Sequence, residues 1–349
     1  MKKIIAVTLC LIMAFSLAAC SSSNATPPST AISSDSSSTS DSNNAVTLKL
    51  NTAVSVTSTW YAGCERFSEL VKEKTGGRYI IDVYSDCQLS GGSQPDAVTM
   101  HQAGDIDISC LGALTWANAT VKTTMPCMPF LFTNFDEAVD AMNGDGGKAI
   151  AKVISDVGCG EVLAWGMNGF RQISTTKKEI TCPDDLVGLK IRIPGNQMYI
   201  DLYTFLGADP VSLSFSELYT ALSTGVVDAQ ENPYDTTMSA NLQEVVKYCT
   251  GWNYSYEPIA LTVSQKAWDS IPDADKDIFR EAAEEAMAYQ VGLAIDLDST
   301  REQEMRDSGV QFYELSNAEL QAFRDACSGF YDMQKSVMGD ELFKAFGLN

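Results

Sequence analysis

The sequence holds one imidazole, His101, and ten cysteines, and these two counts bound the chemistry open to it. A single histidine excludes a multi-histidine metal site within one chain and leaves one candidate for a histidine-dependent triad. In Met100-His101-Gln102-Ala103 it reads as an inert ring on an exposed helix. Eight cysteines lie beyond residue 20, at 64, 87, 110, 127, 159, 182, 249 and 327, with no C-x-x-C spacing to support a thiolate metal site. An exported chain with an even count can form disulfides. Cys110 and Cys127, however, stand in apolar runs, where a thiol behaves as a small buried hydrophobe. Mostly reduced, buried thiols are expected, with one or two disulfides left open. Asp184-Asp185 and Glu284-Glu285 are adjacent acids that more simply form solvated faces, and Asp145 begins a calcium-like loop that lacks the terminal bidentate acid. There is no G-x-S-x-G elbow and no H-E-x-x-H pair, so an exported hydrolase has no machinery to point to. No catalytic residue, cofactor or metal is expected.

Lys and Arg number 24 against 45 Asp and Glu, a formal charge of -21. Such a surface repels a polyanion, which argues against nucleic-acid binding. At 45% hydrophobic and 20% charged, the composition is that of a globular protein long enough for two domains. Residues 1–19 stand apart. Lys2 and Lys3 precede an apolar run from Ile4 to Leu17 that ends in Ala18-Ala19-Cys20, an export signal too short for a spanning helix. The Cys after Ala-Ala looks like a bacterial lipoprotein signal, which implies cleavage before Cys20 and lipidation of its thiol. The two or three acyl chains of a lipoprotein make such anchoring stable where one chain holds marginally. Eleven of the 25 residues from 21 to 45 are Ser, and Ile32 is the one sizeable aliphatic side chain. Residues 20–45 therefore read as a lipidated Cys and a flexible tether, with a reach of ~25–30 Å. The globular part is expected outside the cytoplasm, held to the cell membrane through Cys20.

From Val46 the pattern is α/β. Val46–Ala53 alternates as a strand, and Phe67, Leu70 and Val71 recur at helical spacing before a stop at Thr75-Gly76-Gly77. Strand 79–84, helix 96–103 and strand 106–111 complete a βαβαβ order, which points to parallel pairs with helical crossovers. Further strands are expected at 161–165, 188–193 and 226–230. Ser214-Phe215-Ser216-Glu217 has capping-box spacing ahead of a helix closed by Gly225. From Pro272 a helical pattern runs to Asp307, roughly 50 Å at 1.5 Å per residue, long enough to span two domains.

Three motifs between Asp184 and Tyr234 are more specific: Gly188-Leu189-Lys190-Ile191-Arg192-Ile193-Pro194, the run from Phe215-Ser216-Glu217-Leu218-Tyr219 to Asp228, and Gln230-Glu231-Asn232-Pro233. With residues 73–78, 88–89, 129–132, 168–172, 266–268 and 288–290, they make the chain resemble the extracytoplasmic solute-binding proteins of TRAP transporters, the DctP-like family, over residues 46–335. The resemblance implies a two-domain α/β clamshell of the periplasmic-binding-protein kind, spanned by the long helix. Domain I would be residues 46–168 plus about 257–290, and domain II residues 169–256 plus about 291–349.

It also implies a function. A monomeric binding protein would capture a small organic carboxylate, dicarboxylates included, and deliver it to TRAP permease subunits; a ligand sensor of the same fold is the rival reading. The family's carboxylate contact falls on Arg192, whose planar guanidinium offers parallel donors and keeps its charge. Arg171 matches a second contact, Asn232 a hydrogen-bond donor and Phe215 a side chain packed on the ligand's carbons. Trp60 and Tyr234 are weaker candidates for lining the cleft, as large aromatics are core residues by default. The competing structural roles are a salt bridge for Arg192, an ion pair for Arg171, a turn before Pro233 for Asn232 and core packing for Phe215. Family members selective for sialic acid or dicarboxylates often place acidic or polar side chains where this chain has Gln94, Gly112, Ala113 and Leu114, which speaks against sialic acid.

Overall fold

The computed structural model describes residues 45–348; the signal, Cys20 and the tether up to residue 44 lie outside the described residues. In chain order come β1 (Val46–Thr52), α1 (Thr59–Lys74), β2 (Tyr79–Tyr84), α2 (Gln94–Ala103), β3 (Ile108–Gly112), α3 (Ala113–Trp116), α4 (Phe135–Asn143), α5 (Asp145–Asp156) and β4 (Glu161–Thr175). Then follow β5 (Lys190–Ile193), α6 (Gln197–Phe205), β6 (Asp209–Ser212), α7 (Leu218–Thr224), β7 (Ala229–Asn232), α8 (Tyr234–Ser239) and β8 (Tyr248–Val263). The chain ends with α9 (Gln265–Ser270), α10 (Asp273–Asp307), β9 (Gln311–Glu314), α11 (Asn317–Ala326), α12 (Phe330–Met338) and α13 (Asp340–Ala345).

The fold is α/β around one mixed sheet in the order β2-β1-β3-β8-β4-β7-β5-β6, with β9 added to β8. β1 pairs in parallel with β2 and β3, as the βαβαβ order predicts, and β5 pairs in parallel with β6 and β7. Two long antiparallel strands, β4 and β8, join these groups. At one end of the pair β8 meets β3, at the other β4 meets β7, so both long strands belong to both groups. From Gly166 to Thr175 every residue of β4 is buried, the signature of a central strand covered on both faces. That explains why the expected strand at 161–165 is only its first third. The strand expected at 226–230 forms at Ala229–Asn232, after Val227 has gone to the hydrophobic core.

Local chemistry sets the helix ends. Ser58 caps α1 through Trp60 N, and the capping box of Ser214 and Glu217 opens a 3-10 turn that runs into α7. Helix α10, 35 residues and about 52 Å long, is the expected long element. Its first half lies on α1, with Arg66–Glu285 at 2.8 Å and Arg78–Asp275 at 2.6 Å, and Gln290 brackets β4 by bonding both Met167 N and Met167 O at 2.8 Å. Gly63 permits this approach, since a Cβ there would stand 2.8 Å from Gln290 Cβ. Further along, Arg301 reaches Asp235 of α8 at 3.0 Å. Asp235 in turn accepts from Thr59 N, Thr59 Oγ1 and Ser58 Oγ, each at 3.1 Å, placing a carboxylate on the N-terminus of α1.

His101 corrects the sequence reading: it is fully buried, lies edge-on to Trp116 at 5.1 Å and bonds the Cys159 carbonyl through Nε2 at 2.9 Å. Burial pushes its pKa down to about 4. The eight described cysteines are unpaired, and all but Cys182 are buried.

Asp298 shares the far stretch of α10 with Glu302 and lies in the field of Asp235 on α8, and among the described residues no cation pairs with it. Burial, with the fields of Glu302 and Asp235, pushes its pKa up to about 6. A carboxyl raised above its unfolded value stabilises the protonated form, so that contribution is complete below pH 4 and is lost as the pH rises through about 6. Asp298→Asn should therefore raise stability by ~1–2 kcal/mol near neutral pH, discounted for partial exposure, with the gain vanishing near pH 4. Urea unfolding of both proteins across that range measures it.

Candidate functional site

The parallel strands end at one place. Val54 follows β1, Leu114 follows β3, Pro194 follows β5, Phe215 follows β6 and Asn232 closes β7, and all five line one narrow cavity. Carboxyl ends of strands are where α/β sheets bind ligands, because the chain there turns outward and leaves a crevice. Trp60 and Thr236, from the first turns of α1 and α8, and Asn168 and Arg171 from the middle of β4 complete much of the wall.

That middle stretch of β4 is irregular. Its register against β8 shifts between Val162 and Ala164, Met167 and Gly169, and Arg171 and Ile173. Bulges re-aim side chains, and here the segment they flank is Asn168-Gly169-Phe170-Arg171. Gly169 lies opposite Glu257 and Ile173 opposite Glu231, so each glutamate stands diagonally across from Arg171, within reach of a long side chain.

The guanidinium uses that reach fully. Arg171 donates through Nε to Glu231 and through Nη1 to Glu257, both in very short contacts. Its Nη2 serves Glu231 Oε1 at 2.9 Å, the Glu231 carbonyl at 2.6 Å and Asn232 Oδ1 at 2.8 Å. Tyr254 adds a hydroxyl donor to Glu231 at 2.7 Å, and Asn168 Nδ2 donates to Glu257 at 2.6 Å. Burial alone would disfavour the charge on Arg171, but the fields of Glu231 and Glu257 outweigh it and hold the pKa well above the ordinary value.

Arg192 is the opposite case. It is equally buried, yet among the described residues no carboxylate lies within ion-pair distance. Nε donates to the Leu213 carbonyl at 3.0 Å, and the guanidinium stands 5.7 Å from the Phe215 ring. Burial pushes its pKa down to about 10, which leaves it a cation at neutral pH. The result is a desolvated guanidinium whose terminal N–H donors face a cavity.

Of the residues singled out in the sequence, Arg192, Arg171, Asn232, Phe215 and Trp60 meet at this cavity. The indole of Trp60 donates to Asn168 Oδ1 at 3.2 Å. Asn232 accepts from Arg171 and donates to Gln230 Oε1 at 2.6 Å, so both ends of its amide are engaged within the protein. Tyr234 goes elsewhere: it is buried 5.9 Å from the Phe312 ring and takes no part in the cavity wall. Gln94 and Leu114, noted for what they replace, do line the cavity.

Glu257 was missed. Its sequence signal is isolation, for it is the one charged residue between Lys247 and Lys266. Gly112 makes room for it: a Cβ at that position would lie 2.2 Å from Glu257 Oε1. The acidic group of this side of the cavity thus comes from β8, in space that β3 leaves open.

Comparisons with known proteins identify the family and the fold. The sequence profile of the DctP family, described as bacterial extracellular solute-binding protein, family 7, matches residues 50–336. A TRAP periplasmic solute-binding protein from Ralstonia eutropha H16, crystallised with bound (S)-2-acetolactate, is 33% identical, with a TM-score of 0.82 over 86% of this chain and 98% of that one. A second from Polaromonas sp. JS666, bound to D-erythronate, is 28% identical, with a TM-score of 0.81 over 87% of this chain and 99% of its own. The 2,3-diketo-L-gulonate-binding periplasmic protein YiaO of Escherichia coli K12 is 27% identical over 81% of this chain and 84% of its own.

The two arginines should separate in stability measurements without any ligand. Arg171→Ala strands two buried carboxylates and should cost ~3–5 kcal/mol. Arg192→Ala removes a buried cation that has no ion-pair partner and should cost no more than ~1 kcal/mol. Chemical denaturation of both variants checks the contrast.

Proposed function

The chain belongs to family 7 of the bacterial extracellular solute-binding proteins, and from that premise we propose that it captures a small organic acid, holds the carboxylate on Arg192 and delivers it to the membrane subunits of a TRAP permease. Arg192 carries the reading. A guanidinium that has given up water and has no protein carboxylate within ion-pair distance is poised for a bidentate bond with an incoming one. (S)-2-acetolactate and D-erythronate, bound by two relatives, are small carboxylates with oxygen substituents, and they suggest the size and polarity of the ligand here.

Capture would be a closure of two domains, residues 46–168 with about 257–290 and residues 169–256 with about 291–349. Contacts between these segments support the proposal: Ser214 and Ser216 hydroxyls reach the Gly92 carbonyl at 3.3 Å, Ser55 reaches the Ser239 carbonyl at 3.0 Å, and Thr236 bonds Asn168 at 2.6 Å. An open form would lack them and admit the solute. Transport energy would come from an ion gradient at the permease. We further propose that Cys20 is lipidated and holds the protein at the outer face of the membrane; no helix among the described residues is long and apolar enough to cross it.

Arg192→Ala should weaken binding of the cognate acid by ~2–5 kcal/mol, roughly 30-fold to several-thousand-fold in Kd, and Arg192→Lys should recover only part of it because the bidentate geometry is lost. Calorimetry against acids found by thermal-shift screening measures this; an Arg192→Ala protein that binds like wild type would remove the basis of the assignment. Cys20→Ala should move the protein from the membrane fraction to the soluble exported fraction, seen by fractionating cells that express each form.

A further inference from the structure

Resting on the reading of Arg192 as the carboxylate site, we propose that Glu257 makes the cavity selective for hydroxylated monocarboxylates and against dicarboxylates. The charged residues of the cavity wall are Arg171, Arg192 and Glu257, with Glu231 directly behind Arg171. Glu231 and Glu257 outweigh the charge of Arg171, so with Arg192 the buried charges already sum to zero, and Arg192 is the one guanidinium there without an ion-pair partner. One ligand carboxylate pairs with it and leaves the site with an excess of negative charge. A second carboxylate on the same ligand would meet Gln94, Thr115, Asn168 and Thr236, which are neutral, and Glu257, which repels it. Nor does the adjoining mouth help, since its lining includes Glu217 and no cation. Burying an anion without a partner is costly in such a setting.

Glu257 also has something to offer a neutral ligand group. Its Oε2 is taken by Asn168 and Arg171, whereas Oε1 accepts one long bond, 3.3 Å from Leu114 N. An ionised carboxylate only accepts hydrogen bonds. It therefore welcomes a ligand hydroxyl and refuses a second carboxylate, and Gly112 keeps it pressed into the wall where it does so. Glu257 thus supplies the discrimination that side chains at positions 94 and 112–114 do not.

The test is isothermal titration of wild-type protein with matched acids: 2,3,4-trihydroxybutanoates against tartrates, six-carbon aldonates against aldarates, and butanoate against succinate. The expected result is that the best hydroxylated monocarboxylate binds at least tenfold more tightly than both its dicarboxylate counterpart and its hydroxyl-free analogue. Glu257→Gln should shrink the first ratio at least tenfold. Gln94→Lys, which adds a cation at the partly exposed edge and leaves the Arg171 cluster intact, should improve dicarboxylate binding at least tenfold even if the Glu257 variant does not fold. Dicarboxylates that bind wild type as tightly as their partners, an unchanged ratio in folded Glu257→Gln, or no gain in Gln94→Lys would each overturn this inference alone. If no carboxylate of either kind binds wild type, the Arg192 reading itself fails.

Discussion

Arg171 keeps its charge at any ordinary pH, and it is buried, so the protein around it has to be anionic. Glu231 on β7 and Glu257 on β8 meet that demand, and in doing so they tie three strands together at one point of β4. A buried ion pair is a poor source of net stability because desolvation consumes most of the attraction. What it provides is position: a change of register in any of the three strands would draw the guanidinium away from a carboxylate it needs. Asn168 and Asn232 of the cavity wall, and the hydroxyl of Tyr254 behind it, are held by hydrogen bonds to these same three side chains. Arg192 can then remain without an ion-pair partner, since the rigidity of the site does not depend on it.

This division of labour resolves a tension between the whole and the part. A chain with formal charge -21 has an unfavourable field for anions at long range. Ionic screening limits that field to about 8–10 Å from exposed charges. Inside the cavity the balance is set by four buried groups, two of each sign. The acidic surface slows the approach of an anion without deciding its affinity, and net charge of this kind favours solubility.

The parallel strands, the glycine stop after α1, the capping box before α7 and the length of α10 were legible because each rests on local pattern: period, cap chemistry or an uninterrupted helical run. Arg192, Phe215, Asn232 and Arg171 were legible because they fall within strong motifs. β8 was not read, and its composition explains why. Covered on both faces along most of its length, it shows no alternation of polar and apolar side chains, and Pro258 falls within it. Missing β8 meant missing Glu257. His101 was misread because Met100 and Gln102 flank it on a helix of low amphipathicity, and burial of a neutral imidazole needs only one carbonyl partner, here from Cys159, 58 residues away. Tyr234 and Trp60 looked alike in sequence; the first turns of α8 and α1 carry them to different sides of the sheet's edge, one into the core beside Phe312 and the other to the cavity.

The continuity of β4 and β8 has a mechanical consequence. A molecule whose two halves were joined by loops could twist, slide or swing almost freely. Here the joint is a paired ribbon running from Glu161 opposite Val263 to Thr175 opposite Tyr248, and sliding one strand along the other would break its ladder. The three register shifts are the places where the ladder is already interrupted, so flexing there costs least. That leaves a bend across the ribbon as the soft degree of freedom, with its axis passing beside Arg171. In the closure proposed above, the groups that would hold the ligand and the fulcrum of the movement are the same few residues of chain.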